Sequence, residues 1–241
     1  MVVSGFEVIC LEEVGSTNDI AAEYAAKYPE HKLAIRARRQ TAGRGRRGRS
    51  WQSLDGNLFF SMLFEFSLRD LGRLIMAASL SLVDVVKAYK PDADVRLKWP
   101  NDVLLNGSKI SGMLLEKGAG NYMIVGIGVN ITQSPQMSDM LYPTTSLAQA
   151  GIAATADDFL QKYLGLFAKN IDLAAASLRQ RWLENAKNVG AKIKVLQNGK
   201  EQRGIFEGID DDADLILRTD GGVQKILAGD VFYLGDENGG F

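Results

Sequence analysis

The run NLFFSMLFEF (57–66) constrains the fold more than any other segment of the chain. It is apolar and rich in β-prone residues, which is typical of a central strand of a sheet. Residues 70–89 follow it with apolar positions three and four apart and stop before Pro91, so they predict a helix with one long buried face. The 241-residue chain is 46% hydrophobic, enough for one large core or for a core with a small extra domain.

The other predicted elements surround this pair. Before it come a strand at 6–12, a helix from the N-cap candidates at 16–19 to about residue 28, and a strand at 33–38. After it come three strands across 95–118, with a break at Pro100 and a tight turn at Asn106-Gly107, and then a strand at 122–131. The sequence at 155–188 is largely helical.

The pattern changes after Gly190. Short alternating runs separated by turn signals predict a small β-barrel or meander of roughly 50 residues at the C-terminus. We therefore expect two domains, residues 1–188 and residues 189–241.

Composition limits the chemistry that this chain can perform. His31 is the single histidine and Cys10 the single cysteine, so a catalytic triad or a multi-histidine metal site is not expected, and Cys10 in an apolar run predicts a packed thiol. The net charge of −1 gives no general attraction to nucleic acid or membrane. One cysteine, no secretory leader pattern and no apolar run long enough to span a bilayer predict a cytoplasmic protein.

The segment GRGRRGRSW (43–51), here called the arginine loop, concentrates positive charge in a nearly neutral chain. It could be a solvated basic loop, a nucleic-acid patch, or a lid over a small anionic ligand. Its glycines let backbone N–H groups approach a ligand and make ordering costly, while arginine suits carboxylates and phosphates. The spacing is that of neither a P-loop nor a dinucleotide-binding turn.

Two further segments favour a ligand site. In KWPND (98–102), Pro100 ends a strand and leaves polar side chains beyond it, although the segment could be only a turn with Trp99 in the core. In GSKISG (107–112), Lys109 lies in an otherwise apolar strand. It could protect an exposed sheet edge, or it could be a buried cation awaiting an anion.

Together these segments resemble the biotin–protein ligases. The resemblance spans roughly residues 12–131, with a weaker similarity in the C-terminal β segment. Five motifs carry it in family order: GSTN (15–18), QTAGRGRRGRSW (40–51), KWPND (98–102), KISGMLLE (109–116) and GIGVN (126–130). The combination of GRGRRG with a downstream KWPND is the specific part.

The resemblance implies an α+β fold, with a mixed β-sheet flanked by helices of the class II synthetase-like, biotinyl/lipoyl transferase type, followed by a small SH3-like β-barrel. It implies that ATP, brought with Mg²⁺, converts biotin to biotinyl-5′-AMP. It further implies that biotin then passes to a lysine of a biotin carboxyl carrier domain, the expected partner.

The resemblance also implies roles for individual residues. Lys109 would lie between the biotin carboxylate and the α-phosphate, Arg46 would hold phosphates, and Asp102 would orient or deprotonate the acceptor lysine. The expected biotin contacts are Ser16, Thr17, Asn18, Gln40, Gly43, Arg44, Gly45, Arg46, Lys109 and Gly112. The expected nucleotide contacts are Arg46, Arg47, Arg49, Trp51, Lys98, Asn101 and Asn130, with Trp51 stacked on adenine. Metal ligands are not predicted, and Ser16–Asn18 could instead be a helix N-cap.

Two alternatives remain open at this stage. One is a lipoate–protein ligase of related fold, and the other is a nucleic-acid-binding module that uses the arginine cluster at 36–49. Because the first motif begins near residue 15, the resemblance argues against the DNA-binding domain that some family members carry, so no DNA partner is expected. An exposed sheet edge would permit a homodimer.

Overall fold

The structure, a computed structural model, describes residues 1–27, 32–67, 70–135, 143–197 and 199–234. Its helices are α1 (Thr17–Lys27), α2 (Leu71–Tyr89), α3 (Ala156–Asn170) and α4 (Ala175–Asn185). Its strands are β1 (Val2–Val3), β2 (Phe6–Val14), β3 (Leu33–Gln40), β4 (Leu58–Glu65), β5 (Val95–Lys98), β6 (Asp102–Leu105), β7 (Ser108–Lys117), β8 (Tyr122–Val129), β9 (Lys192–Gln197), β10 (Lys200–Ile209), β11 (Leu215–Thr219), β12 (Gly222–Ile226) and β13 (Asp230–Tyr233).

The first eight strands form one sheet in the order β1-β2-β3-β4-β8-β7-β6-β5. β2 and β3 are parallel and α1 connects them, whereas the other neighbours are antiparallel. The predicted mixed sheet is therefore confirmed. The predicted turn at Asn106-Gly107 joins β6 to β7 with both residues at positive φ, 51° and 80°, as a tight hairpin turn requires.

Helices cover both faces of this sheet, which explains why the run at 57–66 is apolar throughout. Phe60, Met62 and Phe64 of β4 belong to the core that also contains α2, α3 and α4. Leu63 points the other way and belongs to a smaller cluster under α1. Alternate residues of a strand face opposite sides, so a strand covered on both faces is apolar at successive positions.

The C-terminal strands form a five-stranded antiparallel sheet in the order β12-β11-β10-β9-β13. The predicted domain boundary near residue 188 falls between α4 and β9, yet one cluster of buried side chains continues from the large sheet into this second sheet. Trp99, which the turn interpretation of KWPND places in the core, is 4% exposed and its indole Nε1 donates to the carbonyl of Ala213 at 2.9 Å. The end of β5 is thus fixed to the C-terminal sheet.

Among the described residues, no helix has the length and apolar character needed to cross a bilayer.

Candidate active site

A cleft of about 360 Å³ lies on the large sheet beside the start of α1. Its floor is built where the strands carry glycine. Gly112 of β7 and Gly128 of β8 lie directly opposite each other in the register, and Gly126 lies opposite Ser61 of β4. A Cβ at Gly126 would come 2.2 Å from Asn18 Oδ1, and one at Gly128 would come 2.3 Å from Trp51 Cε2. The glycines of GIGVN therefore allow Asn18 and Trp51 to approach the sheet closely.

Neutral polar groups fill one end of the cleft. Gln40 Oε1 accepts from the backbone N–H of Thr17 at 2.8 Å and from its hydroxyl at 3.1 Å. Ser61, fully buried on β4, lies 2.7 Å from Thr17 Oγ1 and donates to Asn18 Oδ1 at 2.5 Å. Ser16 Oγ accepts from the N–H of Asn18 at 3.3 Å, and α1 begins at Thr17. Ser16 therefore caps the helix as well as lining the cleft, so the N-cap interpretation and the ligand interpretation are compatible.

An acidic pair anchors the start of the arginine loop. Arg44 donates to both carboxylate oxygens of Asp19 at 2.8 and 2.7 Å and to Glu116 at 3.3 Å. The same Glu116 oxygen accepts from Asn18 Nδ2 at 2.7 Å. The Arg44 hydrogen bonds hold the pKa of the Asp19 carboxyl below its usual range. The loop is thereby fixed to α1 and β7 at the neutral end of the cleft.

Charged groups gather at the other end. Lys109 Nζ lies 2.6 Å from Asp102 Oδ1, and these two side chains are only 21% and 11% exposed. The same ammonium lies over the ring of Trp51, 5.4 Å from its centroid. The indole packs against Gly112 and Gly128, and its buried Nε1 has no hydrogen-bond partner among the described residues.

Arg46 extends from the loop toward this charged end and donates to Asn101 Oδ1 at 3.3 Å. Burial lowers the pKa of its guanidinium, and the carboxylates of Asp230 and Asp102 oppose that shift. Asn101 is held in turn by the carbonyl of Met113, to which its amide donates. Arg46 and Asn101 therefore form one wall of the cleft, at the point where β5 gives way to β6.

The other loop arginines are held by the C-terminal sheet. Arg47 Nη1 lies 2.7 Å from Asp230 Oδ2, and Arg49 Nη2 lies 3.0 Å from Asp230 Oδ1. If the loop is a lid over a small anionic ligand, anions of that ligand would be expected to pair with its arginines. In the structure the anions that bind Arg44, Arg47 and Arg49 are carboxylates of the chain itself.

Most of the predicted site residues meet in this cleft. Those that line it are Ser16, Thr17, Asn18, Gln40, Arg44, Gly45, Arg46, Arg49, Trp51, Asn101, Asp102, Lys109, Gly112 and Asn130. The side-chain amide of Asn130 is engaged inside the protein, where it donates to the carbonyl of Thr145 at 3.0 Å.

Gly43, Arg47 and Lys98 do not line the cleft. Gly43 closes the base of the loop, because its carbonyl accepts from Trp51 N at 2.9 Å and a Cβ would come 2.6 Å from Trp51 O. Lys98 is 3% exposed and lies opposite Asp102 in the β5–β6 register. Burial lowers the pKa of its ammonium to about 7, against the opposing field of Asp102.

Sequence reasoning missed the residues that support the site from a distance. Ser61, Glu116 and Asp230 were not predicted, although a serine inside an apolar strand was a usable signal for Ser61. The further lining residues are Ser50, Gln52, Met113, Leu114, Gly126, Ile127, Gly128, Pro135 and Thr144. His31 and the expected last residue of the first helix, Tyr28, lie outside the described residues. The expectation that Cys10 is a packed thiol is wrong, because Cys10 lies exposed on β2.

The structure also decides between two interpretations of Lys109. β7 lies between β6 and β8, so the suggestion that Lys109 protects a sheet edge is wrong. Its ammonium instead faces the cleft and the Asp102 carboxylate. The Lys109 ammonium, which pairs with Asp102 in the structure, thus lies where an anionic ligand can reach it.

Comparison with known proteins agrees with this geometry. The model of the biotin/lipoate A/B protein ligase family matches residues 11–130, and that of the biotin protein ligase C-terminal domain matches residues 190–234. The biotin–[acetyl-CoA-carboxylase] ligase of Paracoccus denitrificans is 38% identical, over 83% of this chain and 90% of its own length. The enzyme of that name from Mycobacterium tuberculosis is 33% identical, over 92% and 87%. The solved biotin protein ligase of Aquifex aeolicus in complex with biotin and ATP is 28% identical with a TM-score of 0.81, over 95% of this chain and 98% of its own. This chain therefore belongs to the biotin/lipoate A/B protein ligase family.

Proposed function

We propose that this chain is a biotin–protein ligase that activates biotin with ATP and transfers it to a lysine of a biotin carboxyl carrier domain. The observation that carries the proposal is the division of one cleft into a neutral polar end and a cationic end. Thr17 and Gln40 offer a hydroxyl and an amide to a neutral ring that both donates and accepts hydrogen bonds. Lys109 and Arg46 offer cations to a carboxylate and phosphates.

In the first step a carboxylate oxygen of biotin attacks the α-phosphorus of ATP. The P–O bond to the leaving pyrophosphate breaks, and biotinyl-5′-AMP forms. Lys109 exchanges its partner in this step, because the ammonium that pairs with Asp102 in the structure turns to the two approaching anions. It reduces their mutual repulsion and stabilises charge that develops on the phosphoryl oxygens.

Mg²⁺ would enter with the nucleotide. It is a hard cation that keeps oxygen ligands and is usually held by one or two carboxylates together with substrate phosphates. Asp102 is the one carboxylate among the described residues that line the cleft, so we expect it to be the side chain that would bind Mg²⁺.

In the second step the amine of the carrier lysine attacks the carbonyl carbon of the mixed anhydride, and AMP leaves. The attacking amine must lose a proton, and the Asp102 carboxylate is the group we assign to orient and accept from it. Asp102 becomes available for this role once Lys109 has turned to the phosphoryl oxygens and pyrophosphate has left with any cation that the carboxylate would hold in the first step. No covalent enzyme intermediate is required, in keeping with a site built without cysteine or histidine among the described residues.

The partner we propose is a biotin carboxyl carrier domain of a carboxylase, and the compartment we propose is the cytoplasm. The nucleic-acid alternative loses support, because Arg44, Arg47 and Arg49 are already paired with carboxylates. The lipoate alternative predicts a different ligand for the same cleft, so the identity of the group that is transferred separates the two ligases.

The test is a labelling reaction with purified protein, biotin, Mg-ATP and a biotin carboxyl carrier domain. We expect mass spectrometry to find biotin on one carrier lysine, and none on a carrier in which that lysine is replaced by arginine. Omitting ATP should abolish labelling. Transfer of lipoate in place of biotin, with no biotin transfer under the same conditions, would refute the proposal.

A further inference from the structure

We propose that Asp230, in the C-terminal sheet, is a positioning residue for the reaction, and that it holds the arginine loop closed over the cleft. Asp230 does not line the cleft, so it acts through the loop and not on a ligand. Nothing in the motifs of residues 15–130 indicates it, because it follows the loop by some 180 residues in sequence.

The contact is a fork of two arginines on one carboxylate. Arg47 occupies one oxygen of Asp230 at 2.7 Å and Arg49 occupies the other at 3.0 Å, while the Asp230 side chain is only 17% exposed. Arg47 also donates to the carbonyl of Leu196 at 3.1 Å. Leu196 and Asp230 are partners in the β9–β13 register, so the loop tip is bound to two adjacent strands at one point.

Backbone geometry supports the proposal that this contact holds the loop tip in place. Arg47 has a φ of 56° and a ψ of 38°, the left-handed region that a residue with a side chain seldom adopts. Such a conformation persists when surrounding contacts hold it in place. Here those contacts are the two acceptors that the C-terminal sheet offers to the Arg47 side chain.

Charge gives the contact a second effect. Arg46, Arg47 and Arg49 lie close enough for Arg47 and Arg49 to disfavour the charged form of Arg46, and the Asp230 carboxylate opposes them. Without Asp230 the three guanidiniums would repel one another, and the loop would relieve that repulsion by opening. Because Arg47 and Arg49 lie close to Arg46, their pairing with Asp230 also keeps Arg46 in place in the wall of the cleft.

The kinetic consequence rests on the proposed function, whereas the structural consequence does not. If the cleft holds biotinyl-5′-AMP, an open loop lets the adenylate escape before the carrier domain arrives. If the cleft holds another anion, Asp230 still keeps the loop closed. Loop closure and adenylate retention are therefore measured separately.

The experiment compares Asp230→Asn with Asp220→Asn in the full chain. Asp220 is exposed in the turn between β11 and β12, and its replacement makes the same chemical change in the same sheet. We expect trypsin to cleave after Arg44 and Arg46 at least about fivefold faster in Asp230→Asn, since the loss of two partly buried ion pairs shifts an opening equilibrium by that order. Asp220→Asn should match the parent, and Asp230→Glu should restore most of the protection.

The second arm measures release of free biotinyl-5′-AMP, which we expect to rise by a similar factor in Asp230→Asn. In an Arg47→Gln, Arg49→Gln background, Asp230→Asn should add nothing to either rate. If Asp230→Asn proves too unstable, the double arginine variant, which retains Asp230, must show the faster cleavage by itself. Unchanged cleavage in both variants would overturn the inference. Faster cleavage in a protein that forms no adenylate would support the inference that Asp230 keeps the loop closed and would refute the proposed function.

Discussion

Replacing Gly128 by alanine should separate nucleotide binding from biotin binding. Gly128 lies on β8 beneath the indole of Trp51, and an added Cβ would come 2.3 Å from Cε2, 2.5 Å from Nε1 and 2.7 Å from Cζ2. These atoms belong to a rigid ring, so the indole must retreat by about 1 Å to reach ordinary van der Waals contact. Gly112 and Lys109, on which the ring also packs, would lose their contact with it.

The magnitude follows from the cost of overpacking. An extra methyl group in a packed site costs about 1–3 kcal/mol, which corresponds to a factor of about five to 150 in affinity when the displaced ring is part of the binding surface. We expect the KM for ATP to rise by that factor and the Kd for biotin to change less than threefold, because the polar end of the cleft lies on Thr17 and Gln40. Trp51 belongs to a loop that can yield, so Tm should fall by only about 3–6 °C.

The matched control is Gly165→Ala, which adds the same methyl group to α3. The nearest atom to that Cβ is Ser4 Oγ at 3.6 Å, so nothing is displaced. Alanine is the better helix former by about 1 kcal/mol, and Tm should rise with unchanged kinetics. The assays are pyrophosphate release as a function of ATP concentration, calorimetric titration with biotin, and thermal unfolding. A Gly128→Ala variant with the KM for ATP of the parent would refute the assignment of Trp51 to the nucleotide.

Three further predictions concern Lys109 and Arg46, which line the cleft, and the buried Lys98 behind it. Lys109→Gln should lower the rate of pyrophosphate release by about 10²–10³-fold at saturating substrates, since it removes a cation from the reacting anions; a rate within threefold of the parent would contradict its role. Arg46→Gly should release free biotinyl-5′-AMP and biotinylate lysines of a bystander protein, and adenylate retention equal to that of the parent would show that Arg46 does not hold it. Lys98→Met should raise Tm most at pH 7 and by a smaller margin at pH 9. The pKa of Lys98 is about 7 in the folded protein, below its usual 10.5. Between pH 7 and pH 10.5 unfolding therefore takes up a proton, so the stability of the parent rises with pH across this window. The variant has no lysine here and should show no such rise.

The sequence predicted the elements that depend on local pattern. The helix expected at 70–89 is α2 at Leu71–Tyr89, and the strand expected at 57–66 is β4 at Leu58–Glu65. α2 carries the spacing of three and four that burial of one helix face imposes, whereas β4 is apolar at successive positions because both of its faces are buried. The helical stretch at 155–188 resolves into α3 and α4, and the expected small barrel is a five-stranded antiparallel sheet. Strand order was not predicted, because a sequence pattern marks a strand without naming its neighbours.

The site was predictable where motifs carry the ligand-facing groups and unpredictable where partners come from distant segments. Lys109 and Asp102 were expected, but their 2.6 Å contact depends on the β6–β7 register. Glu116 orients Asn18 across 98 residues of sequence, and no spacing rule connects them. Charge on the arginine loop was plain in the sequence. That the compensating carboxylates belong to the chain itself could be read only from the fold.

The order of charges across the cleft implies how the second step should depend on pH. Asp102 lies between two lysines, with Lys109 on the cleft side and Lys98 opposite it in the buried β5–β6 hairpin. When Lys109 turns to the phosphoryl oxygens, Lys98 remains as the cation that opposes proton transfer to Asp102. Burial lowers the pKa of Lys98 to about 7, so this opposing charge disappears as pH rises through neutrality. Transfer of biotin from preformed adenylate should therefore accelerate between pH 6 and 8. In Lys98→Met the rate of transfer should rise less between pH 6 and 8 than it does in the parent, because the variant has no charge at this position to lose.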